Sequence, residues 1–155
     1  MKCELIFVGK TSEKYLQEGI DQYLKRLKHY LPVSISVIGQ GAGGDTMKVI
    51  QSECSDILSR LKPRDLLILL DERGVALSSV EFAGKIQTWM VQGYSNMVFV
   101  IGGAYGVNDE VRKRANMILS FSAFTLTHQM IRLFLVEQIY RAMTILKNES
   151  YHHGS

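Results

Sequence analysis

Residues 119–142, LSFSAFTLTHQMIRLFLVEQIYRA, decide the predicted fold. This segment begins as the apolar end of a strand, continues through a loop of small and hydroxyl-bearing residues, and becomes a long helix. At about 100° per residue, the apolar positions of the helix fall on nearly all sides rather than on one stripe. A helix of this kind is buried on two sides, and in a chain of 155 residues we expect a second copy of the protein to supply the second contact. The segment therefore predicts a homodimer.

Upstream of this segment, short apolar runs alternate with segments of helical periodicity. The apolar runs predict five strands, at residues 2–8, 33–38, 66–70, 97–101 and 117–120. Alternating strands and helices are typical of an α/β fold, here with a mostly parallel sheet and helices on both faces. The length and the 46% of hydrophobic residues fit a single domain, residues 1–155, with a packed core.

The charge balance permits a nucleic-acid partner but does not require one. The formal net charge is +3. The outer face of the first predicted helix has five basic side chains: Lys14, Lys25, Arg26, Lys28 and His29. Two interpretations stay open for this face, an ordinary solvated surface or a surface that contacts RNA phosphates, because lysine and arginine provide the sequence-independent part of nucleic-acid affinity.

Cysteine usage and hydropathy predict a cytoplasmic protein. Cys3 and Cys54 match neither a disulfide framework nor a zinc pattern, so we expect two small buried side chains in a reducing compartment. The apolar run at the N-terminus is too short for a signal peptide. Three charged residues interrupt the helix at 130–146, which excludes a membrane span there. Metal-binding motifs such as H-E-x-x-H and C-x-x-C are absent, so no metal is expected.

A glycine-rich loop offers an alternative function. Gly39, Gly41 and Gly44 have the G-x-G-x-x-G spacing between a predicted strand and a helix. In a dinucleotide-binding site, an acidic residue at the end of the next strand binds the ribose. Here the acidic residues fall inside the helix predicted at 46–62. A flexible loop is therefore favoured, and a nicotinamide-dependent oxidoreductase remains the rival hypothesis.

Three loops that follow predicted strands contain glycine or small hydroxyl residues: 70–74, 102–106 and 121–127. Because the carboxyl ends of parallel strands lie at one edge of a sheet, these loops are expected to form one pocket. Glycine, serine, threonine and apolar side chains, with little positive charge, favour an adenosine-like ligand over a triphosphate.

Four segments resemble motifs of the ribosomal large-subunit pseudouridine methyltransferase H family: FVIGGAYG, LSFSAFTLTHQMIR, EQIYRA and the terminal YHH. This family belongs to the SPOUT, or α/β-knot, methyltransferases. The resemblance implies a C-terminal trefoil knot, a homodimer and S-adenosylmethionine as the methyl donor. The implied substrate is a pseudouridine of 23S rRNA, methylated at N3 on assembled ribosomes. A SPOUT enzyme that acts on transfer RNA and a ribosome-binding module without activity remain alternatives.

The resemblance also implies site residues, since the family's donor contacts correspond to Leu70, Gly102, Phe121, Ser122, Ala123, Phe124, Thr125 and Leu126. Two positions depart from the family pattern. Thr127 replaces a proline, which predicts a less rigid entry into the helix. His153 replaces a basic residue in the tail 151–155, which predicts weaker RNA contact there.

Three residues are candidates for catalysis at N3. His152 is the candidate proton acceptor, because neutral histidine is a suitable base near pH 7. Arg141 either stabilises the imide anion or binds RNA phosphate, or else it forms an ion pair with Glu137 four residues earlier. Tyr151 either stacks on the flipped-out base or packs against the protein. His128 is expected to be a structural residue at the helix start.

Overall fold

A computed structural model describes residues 1–154, so Ser155 of the predicted tail lies outside the described residues. Strands and helices alternate in the order β1 (Lys2–Val8), α1 (Lys14–Leu27), β2 (Val33–Ile38), α2 (Thr46–Arg60), β3 (Leu66–Ala76), α3 (Ser79–Val91), β4 (Asn96–Ile101), α4 (Asp109–Arg114), β5 (Met117–Ser120) and α5 (Met130–Leu146). None of the helices in this part of the chain is both long and apolar enough to cross a membrane.

The five strands form one parallel sheet in the order β2-β1-β4-β3-β5. Helices α1, α3 and α5 pack together on one face, while α2 and α4 pack on the other. The central strands are apolar on both faces because both faces are covered, and this explains their uninterrupted apolar runs. The predicted α/β fold with a parallel sheet is confirmed. Cys3 and Cys54 are buried as expected, one on each side of the sheet.

The third strand corrects the sequence-based boundary. Residues 66–70 pair with β4, and after a register shift Val75 and Ala76 pair with β5, so the strand does not end at residue 70. A glycine is required in the irregular segment, because a Cβ on Gly74 would lie 2.5 Å from the carbonyl oxygen of Ile118. The segment that was expected to be a free loop is therefore held against β5.

Helix α5 lies between α1 and α3, so two helices of the same chain cover most of its apolar surface. Residues such as Leu135, Val136 and Ile139 are fully buried. Met130 and Phe134 remain 41% and 46% exposed on its outward side. The second burial predicted for this helix is thus largely intramolecular, and the homodimer stays a prediction that concerns the remaining exposed strip.

Candidate functional site

A cavity of about 960 Å³ opens where β3, β4 and β5 end. Seven of the eight predicted donor-binding residues line it, namely Leu70, Gly102, Phe121, Ser122, Phe124, Thr125 and Leu126. Ala123 belongs to the same loop and is exposed, but it does not line the cavity. The three loops therefore do meet at one edge of the sheet. The cavity is of the size that small-molecule sites usually have.

Hydrogen bonds brace the loop at 121–127. The hydroxyl of Ser122 accepts from the backbone N–H of Phe124 at 2.9 Å, and the hydroxyl of Ser120 donates to the carbonyl of Ser122 at 3.0 Å. Thr127 accepts from the N–H of Met130 through its hydroxyl at 3.0 Å. This contact satisfies one of the free N–H groups at the start of α5.

Positive charge in the cavity is largely neutralised. Arg112 and Arg73 both line it, and both pair with Asp71, at 2.6 and 3.4 Å. Burial opposes ionisation of Asp71, but hydrogen bonds from the two arginines lower its pKa overall. Glu72 accepts from the hydroxyl of Thr125 at 2.7 Å and has no cationic partner within residues 1–154. The rim therefore presents an unpaired carboxyl group, which favours a cationic ligand.

The three predicted catalytic residues contact one another around Glu137. Arg141 donates to the Glu137 carboxylate from Nε at 3.1 Å, and the Tyr151 hydroxyl donates to the same oxygen at 2.9 Å. The ion pair between Arg141 and Glu137 raises the pKa of the guanidinium. The Arg141 guanidinium also lies 4.7 Å from the centre of the Tyr151 ring. Tyr151 packs edge-on against Tyr140, with 4.8 Å between the ring centres.

Arg141 fixes the tautomer of His152. Arg141 Nη1 lies 3.2 Å from His152 Nδ1, and since arginine has only donors, Nδ1 is the acceptor. The proton of the neutral imidazole is then on Nε2, which is buried and has no partner among the described residues. This tautomer presents a donor at Nε2, so His152 fits the role of hydrogen-bond donor better than that of proton acceptor.

Within one chain the cavity and this catalytic cluster (Glu137, Arg141, Tyr151 and His152) are separate. None of the four residues lines the cavity, whose last contacts on α5 are Met130 and Ile131. Arg141 lies eleven residues beyond Met130, about 16 Å along the helix at 1.5 Å per residue. A methyl group in the cavity of this chain is therefore out of reach of its own catalytic cluster.

A family model described as "Predicted SPOUT methyltransferase" matches residues 1–152. The chain belongs to the SPOUT methyltransferase family. Relatives named "Ribosomal RNA large subunit methyltransferase H" are similar over nearly their whole length. The protein of Trichlorobacter lovleyi is 44% identical over 153 residues, covering 99% of this chain and 100% of the relative. That of Cytophaga hutchinsonii is 46% identical over 157 residues, again covering 99% and 100%. Membership implies the knotted C-terminal region expected from the resemblance.

The SPOUT cavity fits S-adenosylmethionine on its own features. Gly102 and Gly103 line it without side chains, and a Cβ on Gly102 would lie 2.9 Å from a side-chain carbon of Val107. Backbone groups are therefore accessible to an adenosine, while the Glu72 carboxyl suits a sulfonium. Within residues 1–154 no three His, Cys, Asp or Glu side chains cluster as metal ligands.

Two buried charged residues that the sequence analysis missed support the cavity from behind. Arg132 is fully buried and donates to the carbonyls of Val8 and Gly9 at 2.7 and 2.9 Å, which ties α5 to the end of β1. Burial lowers its pKa to about 10. Burial and the Arg132 charge also lower the pKa of the cavity residue His128, which keeps that imidazole neutral at pH 7. In the sequence, an arginine at a position of the apolar helix that is expected to be buried could have indicated this supporting role.

Glu53 is the second such residue, at 4% exposure on α2. Its Oε2 accepts from the N–H of Gly41 at 3.0 Å, and its Oε1 has no partner within the described residues. A Cβ on Gly103 would lie 2.6 Å from Oε1, so the carboxyl group packs directly behind the cavity wall. Only the fold brings these residues together, and no sequence spacing indicated it.

The same contact argues against the nicotinamide hypothesis. A dinucleotide site needs loop N–H groups that are free to bind pyrophosphate. Here the N–H of Gly41 is bound to the carboxyl group of Glu53, whose negative charge would repel a pyrophosphate. None of Gly39, Gly41 and Gly44 lines the cavity. The glycine loop is therefore a structural neighbour of the site, and the SPOUT assignment replaces the oxidoreductase hypothesis.

Proposed function

We propose that this SPOUT protein is an S-adenosylmethionine-dependent methyltransferase of large-subunit ribosomal RNA, acting at N3 of a pseudouridine in 23S rRNA on assembled ribosomes. The observation that carries the proposal is the convergence of three strand-end loops on one cavity, in a chain whose full-length relatives are named as methyltransferases of large-subunit ribosomal RNA. Ribosomes as substrate place the protein in the cytoplasm.

The cavity residues bind and orient the donor. When bound, S-adenosylmethionine supplies a methyl group on sulfur, which passes to N3 by in-line displacement as the carbon–sulfur bond breaks. Backbone groups of Gly102 and of the loop at 121–126 hold the adenosine, and Glu72 attracts the sulfonium. Holding donor and acceptor in line accounts for much of the acceleration.

The catalytic cluster acts on the base. Arg141 and the Nε2–H of His152 are both donors, and they bind the imide oxygens beside N3 after the tail shifts to expose Nε2, which is buried in the free subunit. These contacts stabilise the anion that forms when the N3 proton leaves to solvent, so they favour attack on the methyl group. Tyr151 is tied to Glu137 and Tyr23 through its hydroxyl, so it positions Arg141 by stacking rather than by titrating.

The separation of cavity and cluster supports a homodimer. Met130, Phe134 and Arg141 are spaced by four and seven residues, so they lie on the same outward side of α5. A second copy that covers this exposed strip in antiparallel orientation places its own cluster beside the cavity of the first. The dimer then supplies each methyl transfer with a cavity from one subunit and a cluster from the other.

The test uses labelled S-adenosylmethionine with 70S ribosomes, separated subunits and total transfer RNA from a bacterial strain that lacks this methyltransferase activity. We expect label in 23S rRNA, and mass spectrometry of nuclease fragments to locate it on N3 of one pseudouridine. The Arg141→Met variant is the matched control and is expected to bind the donor but transfer little methyl.

Other outcomes separate the alternatives. Label in transfer RNA would favour a SPOUT enzyme of different specificity. Calorimetry that shows no heat with S-adenosylmethionine would leave a ribosome-binding module without activity. Sedimentation of an active single subunit would contradict the shared site.

A further inference from the structure

A second, smaller cleft of about 390 Å³ lies between the end of α1 and the middle of α5. It is lined by Lys25, Arg26, His29, Tyr30 and Tyr140. No carboxylate forms an ion pair with its lysine or arginine within residues 1–154. The cleft thus combines unpaired positive charge with two aromatic side chains.

Arg26 is held in place by aromatic rings. Its guanidinium carbon lies 5.3 Å from the centre of the Tyr23 ring and 5.6 Å from that of Tyr140. Stacking on rings leaves the guanidinium N–H groups free, and it restricts a side chain that would otherwise be mobile. Glu149 accepts from the hydroxyl of the cleft residue Tyr30 at 2.5 Å and forms no ion pair with Arg26. The fork of Arg26 is therefore available to an anion from solution.

The cleft is continuous with the catalytic cluster. Tyr140 forms its wall and packs against Tyr151. Tyr23, on which Arg26 stacks, has its hydroxyl 3.1 Å from that of Tyr151. The guanidinium of Arg141 in turn lies over the ring of Tyr151. A short stretch of single-stranded RNA can therefore lie across both features at once.

We propose that this cleft binds a backbone phosphate of the substrate RNA, next to the nucleotide that the catalytic cluster holds. The proposal rests on the proposed function and adds a subsite to it. Arginine matches phosphate geometry with two parallel N–H donors, Lys25 adds a second charge, and the tyrosines offer faces for an unstacked base. The basic face of α1 then has a definite role at its C-terminal end, while Lys14 pairs with Glu18 within its own helix.

The experiment measures equilibrium binding of 70S ribosomes, from a strain lacking the methyltransferase, at several salt concentrations. The variants are Arg26→Gln, Arg26→Lys and Lys25→Gln. Lys48→Gln is the control, because Lys48 is exposed on α2 across the sheet. Donor affinity and unfolding temperature are measured for each. Lys25→Gln removes a charge from the cleft but leaves in place the stacking of Arg26 on Tyr23 and Tyr140.

We expect Arg26→Gln to weaken ribosome binding about tenfold, as loss of a charged hydrogen bond does. The slope of log K against log salt should fall by about 0.7 for the lost phosphate contact. Arg26→Lys should recover part of the affinity, and Lys25→Gln should lower the salt slope as well. Donor affinity and kcat at saturating ribosomes stay unchanged, whereas KM for ribosomes rises.

Ribosome affinity and salt slope equal to wild type in both Arg26→Gln and Lys25→Gln would overturn the phosphate subsite and leave the proposed function intact. An equal loss in Lys48→Gln would overturn it too, because the effect would be general charge. A wild-type protein that binds ribosomes without methylating them would refute the proposed function instead, while the binding series still decides the subsite.

Discussion

Replacing Gly103 by alanine tests whether Glu53 supports the cavity wall. The new Cβ would lie 2.6 Å from Glu53 Oε1 and 3.2 Å from its Cδ. The end of a glutamate side chain can usually move away, but this one is buried and its other oxygen is bound to the N–H of Gly41. We therefore expect Gly103→Ala to destabilise the wild-type protein and to be tolerated in a Glu53→Ala background.

The expected size follows from the contacts. Overpacking of this kind costs about 1–3 kcal/mol, and the lower unfolded-state entropy of alanine returns about 0.4–1 kcal/mol. The net loss is about 1–2 kcal/mol, or about 2–8 °C in unfolding temperature for a chain of this size. In the Glu53→Ala background the clash is absent, so Gly103→Ala should stabilise by about 0.4–1 kcal/mol. The coupling between the two positions is then about 2 kcal/mol.

Urea unfolding of the four proteins of this cycle, at one fixed protein concentration, measures the coupling. Gly84→Ala on α3 is the matched control, because nothing lies within 4 Å of its added Cβ. That change should raise stability slightly in both backgrounds. Additivity of Gly103→Ala and Glu53→Ala within about 0.5 kcal/mol would refute the contact, since independent sites add to that accuracy.

Three further changes probe other parts of the site. Arg132→Met should lower the free energy of unfolding by about 2–4 kcal/mol because two buried carbonyls lose their donor. Urea unfolding measures the loss, and the control Arg60→Met, at an exposed position, should show none. His152→Gln should retain part of kcat because the glutamine amide can donate a hydrogen bond, whereas His152→Phe should not. If both variants lost kcat equally and one ionisation disappeared from the pH–rate profile, His152 would instead be the proton acceptor. Gly44→Ala should leave calorimetric binding of S-adenosylmethionine unchanged, because nothing lies within 4 Å of its Cβ, and lost binding would revive a ligand role for the glycine loop.

Periodicity and the ends of strands predicted most of the fold and the location of the cavity. Apolar runs identify parallel strands because both faces of such a sheet are covered, and loops after parallel strands meet because the strands share a direction. The grouping of loops at 70–74, 102–106 and 121–127 depended on that reasoning alone. The individual roles of their residues came from the family resemblance and remain predictions.

Other features depend on tertiary contacts that no local pattern specifies. The continuation of β3 to Ala76 is set by pairing with β5, which is far along the chain from it. The cover on α5 was attributed to a second subunit because periodicity shows that a helix side is apolar, not which helix covers it. The tautomer of His152 follows from an arginine eleven residues earlier, and this could be assigned only after the tail was seen to fold back on α5.

Arg132 and Glu53 together argue that buried charged groups fix backbone positions at this site. Both are buried, and neither has an ion-pair partner among the described residues, so each carries a desolvation cost that a buried apolar residue does not. Arg132 fixes the end of β1 against the start of α5, and Glu53 fixes the glycine loop against the wall at Gly103. Because apolar contacts are not directional, they would allow these loops to shift, whereas hydrogen bonds to backbone groups fix their positions. Replacing either residue by an apolar side chain should therefore weaken donor binding, and a folded variant of this kind that keeps the full donor affinity would contradict this argument.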